Sequence, residues 1–189
     1  MSTLEQTLQE VEQLKEKSEM IYSKSAVEKS IAQVAAHMNS ALANKAPVFL
    51  CVMNGALIFM GQLMTQLNFP LQINYVHASR YQGEIEAKPQ IDWIAKPAVE
   101  LQGRTVVIVE DILDSGLTMQ LIYEYCQQQQ AKEILTATLV DKQRSREVHG
   151  LDHCDFTGLE TSNKFLFGYG LDYKGFLRNE PGIFEVSGT

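Results

Sequence analysis

The stretch TVVIVEDILDSGLTMQ, residues 105–120, sets Glu110, Asp111 and Asp114 close together and follows them at once with Ser115, Gly116, Leu117 and Thr118. A Ser-Gly-x-Thr turn offers backbone N–H groups, two hydroxyls and, through its glycine, a close approach; at the positive end of a following helix it makes a seat for phosphate. Phosphate by itself would be repelled by the acids just before it. Carboxylates, however, accept hydrogen bonds from vicinal hydroxyls and bind hard cations such as Mg²⁺. A ligand with a phosphate at one end and a diol beside it, a ribose 5-phosphate, satisfies both halves. Each acid taken singly would suit an ordinary helix N-terminus, where the dipole favours negative charge. That bland arrangement needs neither the paired acids nor the turn. No Gly-x-x-x-x-Gly-Lys-Ser/Thr stretch competes with it, and no Gly-x-Gly-x-x-Gly follows a strand.

Such residues must be carried by a scaffold, and the rest of the chain supplies its pattern. A buried strand is predicted over 105–110 and a helix over 117–130, so the acids stand where ligands bind in an open parallel sheet, at the carboxyl ends of the strands. Upstream, Leu4, Leu8, Val11 and Leu14 recur at helical spacing. A second helix is predicted from Ser25, with Glu28 answering the cap and Val27, Ile31, Val34, Ala35, Met38 and Leu42 on one face. The first forty-odd residues therefore read as two helices. PVFLCVM (47–53) reads as a buried strand, Asn54-Gly55 as a turn, ALIFMGQLMTQLN as a helix stopped by Pro70, and 71–79 as another strand. Residues 80–98 read as a mobile loop with a short strand at IDWI. A strand over 134–141, a basic loop DKQRSREVHG and short strands near 154–159, 165–169 and 183–186 complete the pass. Strand and helix alternate, which predicts an α/β fold with a parallel sheet covered on both faces. There is no internal repeat or linker, and the 189 residues suit one domain, 1–189.

Composition narrows the partners. A net charge of −7 argues against a nonspecific nucleic-acid or membrane-surface binder. The cysteines, Cys51, Cys126 and Cys154, are odd in number and make no metal-ligand spacing with the histidines, which suggests buried thiols in a reducing, cytoplasmic setting. No secretory signal is expected at the N-terminus, and the apolar stretch 48–64 is too interrupted for a membrane span.

VVIVEDILDSGLT resembles the phosphoribosyl-pyrophosphate motif of type I phosphoribosyltransferases. VMNGALIFMGQL, ASRY, LVDKQRSR and KFLFGYGLDYKGFLR narrow the resemblance to the hypoxanthine-guanine branch, over about 47–186. The resemblance implies that fold, with a purine-binding hood from 142–189, a mobile loop at 80–98, and N-terminal helices over 1–45 that carry no family signal. It also implies an activity in purine salvage. Phosphoribosyl pyrophosphate and hypoxanthine or guanine would give IMP or GMP plus pyrophosphate, with Mg²⁺ as cofactor.

Residue by residue, Glu110 and Asp111 would hold the ribose hydroxyls, directly or through Mg²⁺, and residues 114–118 would seat the 5-phosphate. Asp114 would be the general base at N7 of the purine. Lys142 would donate to the exocyclic oxygen of a 6-oxopurine and so disfavour adenine. Phe165 would stack on the purine, the backbone of Leu166 and the side chain of Asp172 would complete the hood, and Asp172 would reach a second Mg²⁺. Asn54 and Gly55 would meet pyrophosphate in a turn where many relatives carry lysine, and whose preceding peptide bond can be cis. Arg146 and Arg178 align with pyrophosphate contacts, and Ser79 and Tyr81 with a loop that closes to exclude water. Relatives form homodimers or homotetramers. Two other readings are a nucleotide-sensing regulator on the same fold and the same chemistry with xanthine. Against the regulator stand the acidic composition and the joint presence of Asp114, Lys142 and Asp172.

Overall fold

The computed structural model describes residues 2–80, 91–143 and 146–186, leaving aside the side chains of 79, 80 and 91. Helix α1, Thr3–Glu16, starts from Ser2, whose hydroxyl accepts from the Glu5 N–H while the Glu5 carboxylate takes the Ser2 N–H. Strand β1, Ser18–Ser23, leads into α2, Lys24–Leu42. Two helices without a strand were predicted here, and the strand is a correction. Six residues with no clean alternation give little local signal, and β1 exists because it pairs antiparallel with the last strand of the chain. The cap of α2 moves accordingly, from the predicted Ser25 to Ser23.

Strand β2, Val48–Met53, turns into α3, Leu57–Met64, shorter than the predicted helix. Strand β3, Gln72–Arg80, pairs antiparallel with β4, Ile91–Ala95, which contains the short strand predicted at IDWI. Strand β5, Thr105–Leu113, runs three residues past its predicted end and is followed by α4, Leu117–Gln128, and β6, Glu133–Lys142. Strands β7, Phe156–Thr161, β8, Leu166–Phe167, and β9, Gly182–Val186, close the chain.

Six strands form one sheet in the order β4-β3-β2-β5-β6-β7, parallel except for β4 at its edge. One face packs Val107 and Val109 of β5 against Val27, Ile31 and Met38 of α2 and Phe59 and Leu63 of α3. The other packs Val106 and Ile108 against Met119, Ile122 and Cys126 of α4. Both faces are covered, so β2 and residues 106–109 of β5 are continuous apolar runs. All three cysteines are buried and free. Burial pushes the Cys126 and Cys154 thiols up to about 12, which makes them inert. Among the described residues no helix is long and apolar enough to cross a membrane.

The small second sheet, β1-β9-β8, supports the segment between β8 and β9. Helix α1 packs there, with Val11 in a cluster with Phe167, Leu177 and Val186. Two ion pairs tie α1 to the same segment, Lys15 to Glu180 at 2.6 Å and Glu10 to Lys174.

Candidate active site

Parallel strands end together, and the carboxyl ends of β2, β5 and β6 bring three turns to one rim. After β5 the chain bends at Gly116, the N-cap of α4, with φ +80°. A side chain there would be strained in the left-handed region, and its Cβ would lie 2.4 Å from the Leu151 carbonyl oxygen. The bend is held from outside: the Ser115 carbonyl accepts from Glu147 N–H at 3.1 Å and the Gly116 carbonyl from Leu151 N–H at 3.0 Å. With those carbonyls engaged, the first-turn N–H groups of α4, which lack helical partners, border a cavity of about 170 Å³. Glu110, Asp114, Ser115, Gly116 and Thr118 line it. Ser115 is buried, and its hydroxyl oxygen faces the Leu117 N–H at 3.4 Å.

Asp114 is also met from β6. Lys142 Nζ stands 3.5 Å from Asp114 Oδ2, the lysine side chain mostly buried and the carboxylate 39% exposed. An acceptor and a donor of opposite charge thus lie side by side, with the carboxylate open to solvent.

The paired acids part company. Because β5 continues through Leu113, Glu110 and Asp111 are successive strand residues and point to opposite faces. Glu110 lines the phosphate-sized cavity. Asp111 is turned towards the bend after β2, where a Cβ on Gly55 would sit 2.0 Å from Asp111 Oδ2. Gly170, at φ +109°, packs on the same bend, its own Cβ position 2.2 Å from the Gly55 carbonyl oxygen. The Met53–Asn54 peptide bond is cis. Arg178 donates to the Gly170 carbonyl at 2.5 Å and pairs with Asp172 at 2.7 Å. Asp172 in turn accepts from the Gly175 N–H at 2.6 Å. Asp111, Gly55, Asp172 and Arg178 therefore form a second group beside the first.

Burial raises the Asp111 carboxyl to about 6; the Arg178 guanidinium and the N–H groups of Asp111 and Ile112 pull it down, and Asp172 pushes it further up. Among the described residues no three His, Cys, Asp or Glu side chains gather as a metal cage. Two nearby carboxylates are nonetheless the protein donors magnesium takes when substrate oxygens and water fill its other positions. The donor set fits that use. A carboxyl whose folded value lies above the ordinary ~3.9 costs no stability below that value and its full amount above about 6. Asp111→Asn is therefore expected to raise the melting temperature of the ligand-free protein by ~2 °C or more at pH 8 and by less at pH 4.5. Thermal melts at the two pH values check this; equal shifts would assign the gain to packing.

Phe165 is exposed just before β8 and meets Tyr173 edge-on, the ring centroids 5.8 Å apart. Leu166 is buried and paired with Glu185. Ser79 lies in β3 opposite Asp92, and Tyr81 falls outside the described residues. Arg146, which the resemblance places at pyrophosphate, makes its contacts apart from the second group. Its guanidinium is engaged behind the β5 and β6 ends by the carbonyls of Leu113, Asp114, Lys142 and Asp152 and by the Asp141 carboxylate. Asp141 and Gly170 were missed from sequence. An acid ending a buried strand five residues before an arginine, and a glycine between aromatics in GYGLDY, were the available signals.

A family model described as phosphoribosyl transferase domain matches residues 17–174. The chain is 31% identical over 164 residues, 87% of its length and 90% of the relative's, to the hypoxanthine-guanine phosphoribosyltransferase of Bacillus subtilis strain 168. It is 30% identical to the hypoxanthine-guanine-xanthine phosphoribosyltransferase of Tritrichomonas foetus, over 87% of this chain and 88% of that one. A crystal structure of a hypoxanthine phosphoribosyltransferase from Staphylococcus aureus superposes with a TM-score of 0.83 at 26% identity, covering 89% of this chain and 90% of that one. The match to the family model begins after α1.

Proposed function

The chain belongs to the phosphoribosyl transferase domain family, in its hypoxanthine-guanine branch, and we propose that it transfers 5-phosphoribosyl from phosphoribosyl pyrophosphate to N9 of hypoxanthine or guanine. The observation that carries this is the pair Asp114–Lys142, 3.5 Å apart beside a phosphate-sized cavity. In a 6-oxopurine, N7 and the exocyclic oxygen are neighbours on one edge. A carboxylate that takes the N7 proton and an ammonium that donates to the oxygen read that edge together.

In this reading the turn 114–118 seats the 5-phosphate by its amides and the hydroxyls of Ser115 and Thr118. Glu110 reaches the ribose hydroxyls from the cavity side. Asp111 and Asp172 would hold Mg²⁺, which supplies positive charge to the departing pyrophosphate. Arg178 and the amides of Asn54-Gly55 face the same leaving group. Asn54 brings no charge, so Arg178 carries more of that task. Phe165 covers the purine face, and the Leu166 backbone meets its far edge. As N9 bonds to C1 of the ribose, the bond from C1 to the pyrophosphate oxygen breaks, and Asp114 takes the proton that neutral product cannot keep. Tyr81 would help close the loop over the centre and exclude water, which would otherwise hydrolyse the activated ribose.

An ultraviolet absorbance assay tests this, with phosphoribosyl pyrophosphate, Mg²⁺ and separately hypoxanthine, guanine, xanthine and adenine, beside an EDTA control. Turnover of the 6-oxopurines, lost with EDTA and absent with adenine, is expected. Folded protein that turns over none of them would sink the reading.

The same reading includes a homodimer or homotetramer. Leu57, Ile73 and Tyr75 are each more than half exposed around an apolar concavity of about 500 Å³ that Cys51, Met53, Met60 and Met64 also line. Contiguous apolar surface of this kind marks a protein interface. Tyr75→Asp is expected to lower the mass of the assembly in light scattering, by splitting one interface. An unchanged mass would place the interface elsewhere.

A further inference from the structure

The proposed base and the proposed purine-selecting ammonium stand on different strands, Asp114 after β5 and Lys142 at the end of β6, and neither strand alone sets their spacing. Arg146 touches the backbone of both. Its Nη1 donates to the Asp114 carbonyl at 2.8 Å, to the Lys142 carbonyl at 2.8 Å and to the Leu113 carbonyl at 3.0 Å. Its Nε donates to the Asp152 carbonyl at 3.1 Å, and its Nη2 pairs with the Asp141 carboxylate. Both side chains of that pair are close to fully buried, 9% and 12% exposed. Nη1 faces more acceptors than it has hydrogens, so this guanidinium has no free fork to offer an anion.

We propose that Arg146 is a positioning residue: clamped by Asp141, it fixes the Asp114 backbone against the Lys142 backbone, so that one purine edge meets carboxylate and ammonium together. The clamp rests on the function proposed above. It needs arginine. A planar guanidinium spreads its donors over carbonyls from three segments, whereas an ammonium is a single point on a flexible stem. A displacement of about 1 Å between reacting groups is enough to cost ~100-fold in rate.

The test is steady-state kinetics of wild type, Arg146→Lys and Asp141→Asn, with folding checked by circular dichroism. Arg146→Lys is expected to lower kcat/KM for hypoxanthine by ~10–100-fold and to raise the KM for hypoxanthine. The KM for phosphoribosyl pyrophosphate should change less than kcat/KM for hypoxanthine, because Arg146 makes no direct approach to that substrate and reaches it only through the Asp114 backbone. Asp141→Asn keeps the shape and loosens the clamp, so it should move the same two quantities in the same direction by less. If Arg146→Lys does not fold, Asp141→Asn carries the test alone. Unchanged purine kinetics in the folded variants would overturn the clamp. A rise confined to the KM for phosphoribosyl pyrophosphate would overturn it too and return Arg146 to pyrophosphate. Wild type that turns over no base would take down the proposed function and the clamp together, whereas active wild type with unmoved variants removes the clamp only.

Discussion

Asp114→Asn is expected to lower turnover by ~10²–10⁴-fold, the range a positioned general base supplies, while the affinity for IMP changes far less. The phosphate seat depends on the Gly116 bend, the hydroxyls and the α4 amides, and the substitution changes none of those groups. The Asp114 backbone is held separately, its carbonyl accepting from Arg146 at 2.8 Å, so the asparagine should keep the position of the aspartate. What it lacks is basicity towards N7. The measurement pairs single-turnover rates with IMP binding by calorimetry. Equal losses in rate and binding would move Asp114 from catalysis to scaffolding.

Gly116→Ala is expected to remove activity and to destabilise the protein by about 2–5 kcal/mol, from the left-handed backbone and from a Cβ driven into backbone atoms. The contacts are specific: 2.4 Å to the Leu151 oxygen and 2.6 Å to the Leu151 nitrogen, neither on a flexible side chain that can swing aside. Leu151 also donates to the Gly116 carbonyl, so relief by moving 150–151 breaks the bond that shapes the bend. Urea unfolding with an unchanged slope and a lower midpoint is the expected form of the result. Gly61→Ala is the control. It lies inside α3 with nothing of its own chain within 4 Å of its Cβ position, so helix propensity should stabilise the subunit by up to ~1 kcal/mol, and because Gly61 lines the concavity proposed as an interface the mass of the variant is checked beside its unfolding. Similar midpoints for the two variants would show that the bend tolerates a side chain.

The two predictions differ in how they could be reached. Asp114 was expected as a base, and Lys142 as a donor to the purine oxygen, through the resemblance carried by VVIVEDILDSGLT and LVDKQRSR, whereas their 3.5 Å approach comes from the fold. The severity at Gly116 depends on Leu151, thirty-five positions on in the chain, and no local pattern announces that contact.

The same division runs through the whole molecule. Sequence alone determined the strand-turn-helix of 105–128, the acids at its bend, the covered parallel sheet and the buried thiols. Each of these follows from the stereochemistry and polarity of residues adjacent along the chain. Tertiary structure decided which face each acid serves. The one-residue parity that parts Glu110 from Asp111 depends on how far β5 stays paired with β6, and pairing is a property of two strands. It likewise decided that residues 18–23 form a strand, through a partner more than 150 residues away, and that Arg146 holds the site together from behind. A guanidinium goes where enough buried carbonyls converge to offset its desolvation, and carbonyls from 113, 114, 142 and 152 converge only once the chain has folded.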